Sequence, residues 1–72
     1  MNYSIRNIDA ALLDAAKRGD LNEAKRLIIE EADVNTYDGS QGNSLYWAVK
    51  NNHSDIAKVL LEPVHDLKKG IN

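Results

Sequence analysis

The chain has 72 residues, 43% of them hydrophobic and 28% charged, with a formal net charge of −2 and no cysteine. A chain of this length buries only about 60% of the surface its unfolded form exposes, so its stability must come from one small, well-packed domain without disulfide or zinc support. The acidic balance gives no electrostatic footprint for nucleic acid or anionic lipid, and no apolar stretch approaches membrane-spanning length.

Asn7 or Asp9 can cap a first helix, "AALLDAAKR", in which Leu12, Leu13, Ala15 and Ala16 form an apolar stripe and Gly19 supplies the positive φ that ends it. Asp20 caps a second helix, and Glu23, three residues on, can return its carboxylate to the cap's own amide. Leu21, Ala24, Leu27 and Ile28 give that helix its apolar face, and it stops near Glu30 or Glu31. In the following "ADVNTYDGSQG", Asp33 and Asn35 can bond neighbouring backbone amides, Val34 can tuck under the helices, and Asp38-Gly39 can form a hairpin tip.

Asn43 then caps "SLYWAVKNN", with Leu45, Ala48 and Val49 expected to face inward and Asn51 or Asn52 to end it. Ser54 is the expected cap of "DIAKVLLE", whose Ile56, Ala57, Val59, Leu60 and Leu61 are the most continuous apolar surface of the chain. Pro63 closes that helix at about Leu61 or Glu62. The tail "VHDLKKGIN" offers Val64 and Leu67 for burial.

Shifted by 33 residues, the chain matches itself without a gap: Leu12 with Leu45, Ala15 with Ala48, Lys17 with Lys50, Ala24 with Ala57, Lys25 with Lys58, Leu27 with Leu60 and Asp33 with Asp66. Helix, turn, helix and loop at a fixed period of this length mark an array of stacked units. In "AKRGDLNEAKRLIIEEADVNTYD" and in the inner-helix pairs Leu12/Ala15 and Leu45/Ala48, the sequence resembles the ankyrin repeat family over about residues 9–67. It departs from that family at Asn43-Ser44-Leu45-Tyr46, which stands for Thr-Pro-Leu-His, and at Glu31, which stands for a glycine.

The resemblance implies an all-α fold: a short solenoid of two helix-turn-helix units joined by a hairpin-like loop, with repeats at about residues 5–37 and 38–69 of a single domain at 1–72. Because two units are fewer than such arrays usually need, Ile5, Ile8, Val64 and Leu67 are expected to cover the open ends, or else a partner or second copy does. The family's binding surface maps here onto Tyr37, Gly39, Ser40 and Gln41 at the hairpin tip and onto Asp14, Lys17, Arg18, Trp47, Lys50 and Asn51 on the inner helices. Lys17, Arg18 and Lys50 would give that face a positive stripe suited to an acidic partner patch.

For Trp47, a wedge between units and an exposed anchor are both open, whereas Tyr46 fits a structural role better. His53 and His65 lack the nucleophile, phosphate loop or spaced ligands of an enzyme or metal site, and the family resemblance implies that His53 bonds loop backbone at a helix start. The expected function is therefore non-enzymatic capture of a protein partner, as an inhibitor or adaptor in the cytoplasm, without cofactor, metal, nucleic acid or membrane. The alternative is a unit that self-associates through its exposed repeat ends.

Overall fold

The computed structural model describes residues 5–37, 39 and 42–62. They form four helices, α1 (Asn7–Arg18), α2 (Leu21–Ile29), α3 (Ser44–Lys50) and α4 (Ser54–Leu60), and no strand occurs among them. Two-residue and three-residue turns join α1 to α2 and α3 to α4. The second helix pair stacks on the first, α3 against α1 and α4 against α2. The architecture is thus an all-α stack of two helix-turn-helix units.

The helix ends show how closely local chemistry sets these turns. The Asp20 carboxylate accepts from the Glu23 amide at 3.1 Å, and the Asn43 side chain accepts from the Tyr46 amide at 2.9 Å, so both expected caps are in place. Gly19 closes α1 in the left-handed region at φ 80°. After α2 the Glu31 amide donates to the Ile28 carbonyl and the Ala32 amide to the Leu27 carbonyl, both at 2.9 Å. This paired closure places Glu31 itself at φ 70°, where the family carries glycine. Asn52 repeats the geometry after α3 at φ 64°, with the His53 amide on the Ala48 carbonyl at 2.7 Å.

Other expectations about the helix starts are corrected. Neither Asn7 nor Asp9 caps α1, whose N-cap is Arg6 in an extended conformation without a side-chain bond. The helix starts a turn early because Asp9 has a longer-range use. Its buried carboxylate takes both Nε and Nη2 of Arg6, at 2.7 and 2.8 Å, and the Asp33 amide at 2.7 Å, fastening the start of α1 to the turn after α2. The Glu23 carboxylate does not return to the Asp20 amide, which bonds the Ala15 carbonyl; it forks onto Arg26 instead. Ser54 is the first residue of α4 rather than its cap, and His53 holds the capping position with its ring turned to the preceding unit.

The core is continuous through both units: Leu12, Ala15 and Ala16 from α1, Ala24, Leu27 and Ile28 from α2, Ala48 from α3, and Ile56 and Val59 from α4. Burying each of the larger side chains contributes about 1.5–3 kcal/mol. Asn35 donates its amide to the Asp33 carboxylate at 2.9 Å, and the turn so formed leaves Val34 packed against the core, as its composition suggests. Ser44, also fully buried, has no partner for its hydroxyl among the described residues.

The inward set is smaller than its spacing implies. Val49 and Leu61 are exposed and Leu45 is half-buried, because the side of α3 and α4 that carries them has no further helix packed on it among the described residues. Of the end-covering residues, Ile8 packs against the core whereas Ile5 stays exposed; Val64 and Leu67 lie outside the described residues.

Candidate functional site

The inner helices α1 and α3 run side by side, and this sets two lysines among aromatic rings. The Lys17 ammonium lies 4.8 Å from the centroid of the Trp47 ring, and the Tyr46 ring meets Trp47 edge-on at 5.1 Å. Lys50 completes the row with its ammonium 5.8 Å from the Tyr46 centroid. Each cation sits within the distance at which a ring's negative face attracts it. The row therefore sets two adjoining rings between two cations, one from each repeat.

Below it, the repeats are bolted together by backbone and glycine. The Lys17 carbonyl accepts from Asn51 Nδ2 at 3.2 Å, and His53 Nε2 stands at the same distance from that carbonyl. The His53 ring lies against Gly19, where a Cβ would fall 2.5 Å from Cε1. Trp47 is seated in the same way on Gly42, whose missing side chain leaves room for the indole. Trp47 is half-buried against the core, so it serves as the wedge between units while still offering an edge to solvent.

Charge on the face is unevenly distributed. Arg18 donates to Asp14 at 2.6 Å and approaches Asp20 at 3.4 Å, so two carboxylates offset its charge, and both draw its pKa upward, Asp14 most. Lys17 and Lys50 are the cations of the aromatic row itself. Tyr37 and Gly39 are exposed on the loop, Gly39 at φ 98°, while Ser40 and Gln41 lie outside the described residues. The structure thus joins Lys17, Trp47, Lys50 and Asn51 in one patch, with Asp14 and Arg18 paired on the α1 side of it.

Sequence reasoning named Lys17 and Trp47 without seeing that they touch, and it set Tyr46 aside although its ring links Trp47 to Lys50. Among the described residues, no three His, Cys, Asp or Glu side chains converge as metal ligands would, and no helix is long and apolar enough to cross a membrane.

Stacked helix pairs with a glycine turn and a histidine clamping one unit to the next define a helical repeat protein. The family model for ankyrin repeats in three copies matches residues 2–71, and the chain belongs to the ankyrin repeat family. It is 34% identical over 55 residues to osteoclast-stimulating factor 1 of Danio rerio and 39% identical over 54 residues to that of Gallus gallus. These matches take in 76% and 75% of this chain but only 26% and 27% of the relatives' length. A further relative, the ARF GTPase-activating protein Git of Drosophila melanogaster, is 42% identical over 65 residues, which is 90% of this chain and 9% of that protein. No solved structure matches the chain at a significant level. Ankyrin repeats generally mediate protein–protein interaction and are not themselves enzymatic.

Proposed function

We propose that this chain captures a protein partner through its inner-helix face and loop, and that the partner presents an acidic patch. The observation that carries this reading is the row Lys17, Trp47, Tyr46, Lys50, in which two ammonium groups lie beside aromatic rings on the paired helices α1 and α3. Prepositioned cations lose little side-chain entropy on meeting carboxylates, and the rings supply apolar contact beside them. Tyr37 and Gly39, exposed on the loop, and Asn51 at the end of α3 extend the surface; Ser40 and Gln41 belong to the proposed surface by the family resemblance and lie outside the described residues. Asp14 and Arg18 form its polar rim.

The test is capture of proteins from a native lysate on the immobilised chain, read by mass spectrometry and repeated with Lys17→Ala, Tyr37→Ala and Lys50→Ala. These side chains are exposed, so their removal leaves the circular dichroism melt nearly unchanged while the captured partner is lost or reduced about tenfold. Retention of the same partner by the triple variant overturns the reading. Trp47→Ala is the wrong probe, because it also empties the seat over Gly42.

A further inference from the structure

Tyr37 and Tyr46, the two tyrosines among the described residues, sit in opposite settings. The Tyr46 ring is committed: it lies in α3, meets Trp47 edge-on at 5.1 Å and has the Lys50 ammonium 5.8 Å from its centroid. Tyr37 is 54% exposed, stands outside any helix and makes no hydrogen bond or ring contact among the described residues. Upstream, the Asn35 amide on the Asp33 carboxylate at 2.9 Å and the Thr36 amide on the Asp33 carbonyl at 3.3 Å close a turn that ends just before it. Downstream, Gly39 runs at φ 98° with nothing within 4 Å of where a side chain would begin. The phenol is thus carried on backbone that can be drawn outward without breaking a helical bond.

The charge around it is one-sided. From Leu27 to Val49 the chain carries no lysine or arginine, while Glu30, Glu31, Asp33 and Asp38 put four carboxylates within seven residues of Tyr37. Glu30, Glu31 and Asp33 are exposed. Against them stand the two ammonium groups of the aromatic row, Lys17 and Lys50. A surface balanced in this way between acid and base responds strongly to one added charge.

We propose that Tyr37 is a phosphoacceptor for a protein-tyrosine kinase that reads carboxylates beside its target, and that the phosphate releases an acidic partner from the inner-helix face. The release rests on capture of such a partner at this face, as proposed above; acceptance of the phosphoryl group does not. In the transfer, the Tyr37 phenolic oxygen attacks the γ-phosphorus of a nucleoside triphosphate and the bond to the β–γ bridging oxygen breaks. The nucleoside diphosphate departs, and the phenolic proton passes to the carboxylate base of the kinase. About −1.5 to −2 charge then stands where the phenol was neutral. Carboxylates on an arriving partner are repelled by it, whereas a basic groove on the kinase is drawn to the acids that flank the tyrosine.

The experiment treats the purified chain with magnesium, ATP and the catalytic domain of a tyrosine kinase selective for acidic substrates, and locates the product by tandem mass spectrometry. One phosphoryl group is expected, at Tyr37. Tyr37→Phe takes up none, and Glu31→Gln combined with Asp33→Asn lowers kcat/KM for the kinase roughly tenfold. A fluorescent poly-glutamate peptide then serves as the acidic probe. The phosphorylated chain binds it about tenfold more weakly than the unmodified chain at low ionic strength, and added salt narrows the difference. Kinase treatment of Tyr37→Phe leaves its affinity where it was, which excludes an effect through another site. The circular dichroism melt is the same with and without the phosphate. Phosphorylation at Tyr46 or nowhere, or equal affinity for the probe before and after, overturns this proposal and leaves the capture reading standing. An unmodified chain that does not bind the probe, with Tyr37 still phosphorylated, overturns the capture reading and the release with it.

Discussion

Ile28 and Leu61 occupy one position in two successive units, 33 residues apart and each at the end of an outer helix, yet Ile28 is 2% exposed and Leu61 71%. The helices around them are of one design, with apolar spacing, a closing turn and a partner helix. What differs is the neighbour on the far side. In a stacked array a unit's own sequence makes its helices, while the next unit makes its core, so equal residues carry unequal energies.

The largest expected contrast tests this directly. Ile28→Ala removes a side chain from the centre of the core and costs about 2–5 kcal/mol, enough to leave so small a domain largely unfolded, whereas Leu61→Ala costs less than about 0.5 kcal/mol. Urea titration of both variants reads the difference. Equal losses would mean that Leu61 is covered in solution and that the contrast between the units is false.

The junction between units is the next place to probe. Gly19→Ala forces a Cβ into the His53 ring and into a left-handed backbone, for an expected loss of about 2 kcal/mol. Asn52, the equivalent position in the second unit, already carries a side chain at φ 64°, so Asn52→Gly is expected to be neutral or slightly stabilising. A tolerant Gly19→Ala would show that the histidine clamp yields.

A smaller effect separates the units by pH. Asp9 has Gly42 as its equivalent, so only the first unit holds this carboxylate. The bonds from Arg6, then from the Asp33 amide, hold the Asp9 pKa below its ordinary 3.8. A carboxyl depressed in the folded state adds stability above its unfolded pKa and loses it as pH falls through the folded value. Stability should therefore decline below about pH 4, and Asp9→Asn should flatten that decline while lowering the neutral-pH stability by about 1 kcal/mol. Thermal melts between acid and neutral pH follow both.

The smallest change runs in the opposite direction. Glu31 adopts a backbone conformation that disfavours any side chain, and Glu31→Gly should raise stability by about 0.5–1 kcal/mol, a shift of several degrees in Tm. The Glu31 carbonyl accepts from Arg6 Nη2 at 3.4 Å, and a glycine keeps that group.

Much of the fold was legible in the chain because its signals are local or periodic. Asp20 and Asn43 as caps, Gly19 as a stop and the Asp33–Asn35 turn each depend on atoms within a few residues, and the 33-residue self-match ordered the helices. The first turn of α1 was misjudged because Asp9 answers to Asp33, 24 residues away, and Ser54 was misjudged because His53 answers to Lys17. Of the functional face, the residue types could be named in advance but not their pairing. Nothing in the spacing says that Lys17 will lie over Trp47 or that Arg18 will be matched by Asp14 and Asp20.

By itself, the order of amino acids determined how many helices form, where most of them stop and at what interval the pattern recurs, since caps, positive-φ residues and apolar periodicity act through short-range hydrogen bonds and sterics. Only the stacking of one unit on the other decided which apolar residues lose their water and which cations meet a ring. Burial and cation–π contact belong to surfaces brought together from distant parts of the chain, and the contrast between Ile28 and Leu61 is of that kind.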